Sequence, residues 1–104
     1  MDARSRYDEI VDHLVALRDD VQPATMMGMP SVKRAGNLVA GFWQDAMVFK
    51  LPVEAERKEA LALDGAHLFD PSGMGRPMKE WVVVPSAHTA EWPRLAELAV
   101  KPAG

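Results

Sequence analysis

Residues 25–51 read TMMGMPSVKRAGNLVAGFWQDAMVFKL, and the spacing of turn-forming residues within this stretch decides the fold. Gly28 and Pro30 mark a Gly-Pro turn at its start. Gly36-Asn37 separates residues 31–35 from the apolar run 38–43, and Gln44-Asp45 separates that run from residues 46–51. Strand-like runs joined by about two turn-forming residues are the strongest short-range hairpin signal. The segment therefore specifies an antiparallel β-meander. In its middle run Leu38, Ala40 and Phe42 alternate with Val39, Gly41 and Trp43, so both faces are apolar and the strand is expected to be central and covered on both sides. Gly41 within that run signals a bulge or the close approach of another element.

Working outward, residues 4–21 show helical spacing of Tyr7, Ile10, Val11, Leu14, Leu17 and Val21, with Asp8, Glu9 and Asp12 opposite. Asp2 or Ser5 is suited to cap this helix, and Pro23 ends it. Residues 52–63 form a second helix, with Pro52 in its first turn, Glu54 and Glu56 at its positive end and Gly65 as its carboxyl-terminal cap. A short extended piece at 66–69 leads into a turn-rich loop at 70–77 and a strand at 78–84. Leu95, Leu98 and Ala99 stripe a last helix whose start is open between a Thr89 cap and the constraint of Pro93, and residues 101–104 are expected to fray. The order is α-β-β-β-α-β-α. It defines an α+β fold, a two-layer sandwich of an antiparallel sheet with helices, in a single domain over residues 1–104.

The 104 residues, 48% hydrophobic and 26% charged, have enough apolar content to exclude a disordered chain. With no cysteine, the chain has no disulfide framework, thiolate zinc site or cysteine nucleophile. No apolar run approaches the roughly 20 residues of a membrane helix. The charged amino-terminal segment does not read as a signal peptide, so the expected location is the cytoplasm. The net charge of −3 is uneven: residues 1–22 hold six acids against three bases, and residues 30–52 hold three bases against one acid. Overall charge thus argues against a general nucleic-acid binder, while the meander is mildly basic.

In this order the segments resemble the TfoX N-terminal-like family. The likeness runs through Met27-Gly28-Met29-Pro30, Asn37-Leu38-Val39-Ala40, Met47-Val48-Phe49-Lys50-Leu51, His67-Leu68-Phe69-Asp70, Arg76-Pro77-Met78 and the strand ending at Val84-Pro85, over roughly residues 20–100. The resemblance implies a two-layer α/β fold of the secretion-chaperone type, shared with YjbR-like proteins that have been proposed to bind DNA. It implies no catalytic residues. Full-length TfoX regulators carry a second domain that this sequence lacks, so a competence role is not expected.

The residues themselves show no catalytic constellation. His13 follows Glu9 on a helix, yet the second histidine of a zinc-protease motif is missing. His67, Asp70 and His88 have no diagnostic metal spacing. No serine lies in a nucleophile elbow, and Ser72-Gly73-Met74-Gly75 lacks the Gly-Lys-Ser/Thr ending of a phosphate loop. The expectation is a non-enzyme without metal or cofactor. A candidate binding surface combines Lys33, Arg34, Trp43, Lys50, Arg76, Lys79 and Trp81, because cations beside indoles hold phosphates, carboxylates or stacked bases. The competing reading makes Trp81 core and the cations the solvated edge of a sheet. Met26, Met27, Met29, Met74 and Met78 either fill core gaps or line an adaptable surface. Trp81 is expected to lie buried against a helix with Lys79 reaching past it to solvent. Three roles follow: a domain that binds a protein partner or itself, a weak nucleic-acid-binding accessory protein, or a small ligand-binding protein or enzyme centred on Lys50 and Arg76.

Overall fold

The computed structural model describes residues 2–101; of the stretch expected to fray, Pro102, Ala103 and Gly104 lie outside the described residues. Along the chain come α1 (Ala3–Leu17), β1 (Val21–Met26), β2 (Met29–Arg34), β3 (Asn37–Trp43), β4 (Ala46–Lys50), α2 (Glu54–Leu61), β5 (His67–Phe69), β6 (Met78–Pro85), a 3-10 turn (Ser86–His88) and α3 (Trp92–Val100). The strands form one antiparallel sheet in the order β1-β2-β3-β4-β6-β5. The α+β sandwich read from the sequence is present, with two strands more than the expected order: the short β5 within the extended piece at 66–69, and one more in the meander.

The extra meander strand is β1. Val21 fits the helical stripe by spacing, but α1 stops at Leu17 and Val21 is buried at the start of β1 instead. Pro23 lies inside β1, which is an edge strand, so its missing N–H deprives no neighbour of a ladder bond. Leu17, placed on the buried stripe, is 64% exposed at the last residue of α1. Asp2 is the amino-terminal cap and accepts the Ser5 N–H at 2.8 Å.

The meander turns on Met27-Gly28, Ala35-Gly36 and Gln44-Asp45, with φ of 51° and 79°, 50° and 84°, and 46° and 61°. Two successive positive φ values are what a tight hairpin needs to match the twist of its strands. The second turn therefore falls one residue earlier than Gly36-Asn37, which puts glycine in the second central position.

Helices cover one face of the sheet. Tyr7, Ile10 and Leu14 of α1 and Trp92, Leu95 and Val100 of α3 pack with Val32, Met47, Phe49, Val82 and Val84. Pro93 sits in the first turn of α3, where no N–H is required, and the fully buried Trp92 donates its Nε1–H to the Val84 carbonyl at 3.2 Å. The buried Tyr7 hydroxyl has no partner among the described residues, and burial pushes the phenol far above its ordinary range, so it stays neutral. Its ring meets Phe42 at 5.4 Å, with the Arg4 guanidinium over both.

The opposite face builds a second, smaller core without helices. Met29, Ala46, Val48, Phe69, Trp81 and Val83 cluster there, flanked by Met26, Leu38, Trp43 and Met78, all of them strand residues. Trp43 on β3 and Phe69 on β5 are three strand spacings apart, about 14 Å on a flat sheet. Their rings nevertheless meet edge to face at 5.5 Å. They lean together across β4 and β6, and Val48 is fully buried. Gly41 admits a close approach, as its place in a strand suggests: a Cβ there would lie 2.5 Å from the Met29 side-chain end. The register slip lies in the same strand: Val32 and Lys33 face Ala40 and Leu38, so Val39 is the extra residue. Leu38 thereby joins the helix-free cluster, while Ala40 and Phe42, expected to share its face, stay on the helix side.

Candidate binding surface

Strand alternation assigns Lys50, Lys33 and Arg34 to faces. Val48 lies on the helix-free face, so Lys50, two residues on, does too, and Met29 carries Lys33. Alternation does not place Lys79, because the pairing of β6 with β5 is irregular and the adjacent Met78 packs on the same cluster as Trp81, but Lys79 lines a hollow beside Lys50 and Trp81. Arg34 alternates with Lys33 and points to the other side, where it pairs with Asp20 at 3.2 Å. Trp81 is buried as expected, but within the all-strand cluster and not against a helix. Its expected position fails because alternation sets only opposite faces, and the helices took the face of Val82 and Val84. Trp43 is half-buried at the far end of the sheet from Lys50. Of the clustered methionines, Met29 is buried and Met26 and Met78 half-buried, while Met27 and Met74 are 63% and 77% exposed.

The electrostatics of the helix-free face are one-sided. Glu80 is the only acidic residue in the described strands, and alternation places it with Val82 on the helix side. Lys33, Lys50 and Lys79 form no ion pair among the described residues. Lys50 stands opposite Trp81 in register. Together with Lys79, Pro52, Glu54, Glu80 and Arg57 of α2, this pair lines a hollow of about 640 Å³. Arg57, which the sequence reading did not single out, reaches it because its Nη1 donates to the Leu51 and Pro52 carbonyls at 3.0 and 3.3 Å, holding α2 against the end of β4. No local motif marks it; only the fold-back of α2 does. Arg76 does not line the hollow and is exposed in the 70–77 loop.

That loop is organised by Asp70. Its Oδ1 accepts the Ser72 hydroxyl at 2.8 Å and the Gly73 N–H at 3.1 Å, and its Oδ2 accepts the Gly75 N–H at 2.9 Å. The Ser72 bond, followed by the loop amides, holds the carboxyl below its ordinary value of 3.8. A lowered folded pKa gives a contribution present above the ordinary value and lost as pH falls through the folded one. The Gly73 and Gly75 amide resonances are therefore expected to titrate with a midpoint below 3.8. A midpoint at or above that value, or titration that survives in Asp70→Asn, would remove Asp70 from this role.

His67, Asp70 and His88 do not form a site. His67 Nδ1 donates to the Gly65 carbonyl at 3.1 Å and His88 Nε2 to the Asp64 carbonyl at 2.7 Å. Among the described residues no group of three His, Asp or Glu side chains is placed to hold a metal ion, and no helix is long and apolar enough to cross a membrane. A second groove of about 490 Å³ runs between α1 and α3 past His13. Its charges are largely spent on one another: Arg6 on Glu9, Arg18 on Glu97, and Arg94 on Glu91 and Glu59.

No family model, curated protein or solved structure matches the chain.

Proposed function

We propose that this chain is a non-enzymatic binding domain of the cytoplasm whose helix-free sheet face engages an acidic protein partner. The observation that carries this reading is an apolar strand cluster edged by Lys33, Lys50 and Lys79, on a face with no acidic strand residue. An apolar centre with a charged rim is the ordinary anatomy of a protein interface, and complementary charge sets the partner's sign. A second copy has little acidic surface to offer this face from α1, where Arg4 holds Asp8 and Arg6 holds Glu9. A different chain is therefore the better occupant. The likeness to TfoX N-terminal-like domains, with their chaperone-type fold, supports an interaction role.

The test compares proteins retained from lysate by the wild type and by a Lys33→Glu, Lys50→Glu, Lys79→Glu variant, alongside light scattering of the purified protein. Acidic partners held by the wild type and released by the variant are the expected result, with an unchanged melting temperature. Retention of the same proteins by both would sink the proposal, and concentration-dependent self-association would replace it with a homo-oligomer.

A second reading draws on the same lysines: weak binding of single-stranded nucleic acid. The buried Trp81 offers little ring surface for stacking bases, which makes this the lesser reading. Oligonucleotide anisotropy at about 50 mM salt decides it, since phosphate contacts are strong there and weaken as salt rises.

A further inference from the structure

We propose that the hollow where β4, β6 and α2 meet is an anion site that takes a phosphate group. This goes beyond the partner-binding reading, because Arg57 belongs to α2 and not to the sheet face.

Three cations from three elements converge there: Lys50, Lys79 and Arg57. Arg57 is the fixed donor. Its Nη1 is committed to the Leu51 and Pro52 carbonyls, whereas Nε and Nη2 make no hydrogen bond within the described residues. That free edge presents two parallel N–H groups, the geometry that grips two oxygens of one oxyanion. Lys50 and Lys79 add point charges on flexible stems. Of the two carboxylates at the rim, Glu54 is drawn away to Lys58 at 2.9 Å, and Glu80 alone opposes the three cations. A phosphate dianion balances that surplus, where a single carboxylate leaves part of it unmatched. At about 640 Å³ the hollow has room for a phosphate with an organic group attached, resting on Pro52 and the edge of Trp81.

The phosphate has two possible sources, a small phosphomonoester or the backbone of a nucleic-acid strand. Inorganic phosphate, phenyl phosphate and single-stranded oligothymidylate are titrated separately at constant ionic strength, following the Trp81 indole N–H and the Arg57 Nε–H by NMR. Saturable shifts of both groups are expected, weakened roughly ten-fold or more in Arg57→Gln or Lys50→Gln and strengthened in Glu80→Gln. Tighter binding of phenyl phosphate than of oligothymidylate per phosphate assigns the monoester, and the reverse assigns the strand. The proposal is overturned if no probe gives saturable shifts, if chloride at equal ionic strength gives the same ones, or if Lys50→Gln binds undiminished. Should Arg57→Gln melt early, Lys50→Gln and Glu80→Gln still decide, since neither side chain makes a hydrogen bond in the described fold. Retention of a protein partner by Arg57→Gln, with phosphate binding lost, separates this site from the partner face.

Discussion

Trp92→Ala is expected to remove most of the stability of the domain. Truncating a buried tryptophan costs about 3–5 kcal/mol, and loss of its hydrogen bond to the Val84 carbonyl strands an acceptor beneath α3 at about 1–3 kcal/mol more. A domain of this kind has only about 5–15 kcal/mol in total. The indole ties the first turn of α3 to the end of β6, so its loss loosens the helix that covers Met47 and Phe49. Trp92→Phe keeps much of the apolar area, gives up the N–H bond, and should fall between the two. Urea unfolding measures the series. If Trp92→Ala unfolds at the same midpoint as Trp92→Phe, the buried volume matters less than its full burial implies.

The meander was legible because tight hairpins demand particular residues. Gly28, Gly36 and Gln44-Asp45 announce reversals, and two-residue periodicity sets which side chains share a face except at Val39, the extra residue that sends Leu38 to the side opposite Ala40 and Phe42. β1 was not legible for an equally physical reason. Val21 satisfies the helical spacing set by Leu14 and Leu17, and Pro23 reads as a helix stop, whereas an edge strand accommodates it. The short β5 follows from pairing with β6, since three residues carry too little pattern alone. The candidate site was half legible. Lys50, Lys79 and Trp81 come together because neighbouring strands do so, and sequence reasoning that paired those strands reached them. Arg57 depends on where α2 folds back onto the end of β4, and Arg34 is withdrawn by Asp20, a residue of the turn before β1. Neither follows from spacing along the chain.

Trp81→Ala is expected to cost about 3–5 kcal/mol as well, although no helix packs on it. The indole is 7% exposed within the strand cluster of Phe69, Val83, Val48 and Met29, the second core that Trp43 and Phe69 help close. Deleting it opens that core to water from the side of the Lys50 hollow. Val83 would lose its cover, and the short pairing of β5 with β6 would weaken with it. Lys79→Gln supplies the comparison: it removes a charge from the same strand, exposed and unpaired among the described residues, and should melt as the wild type does. A large loss for Trp81→Ala with none for Lys79→Gln makes the indole structural and leaves binding to the cations around it. If Trp81→Ala instead melts like the wild type while shedding bound phosphate or partner, the helix-free face is no second core, and the indole is itself the contact.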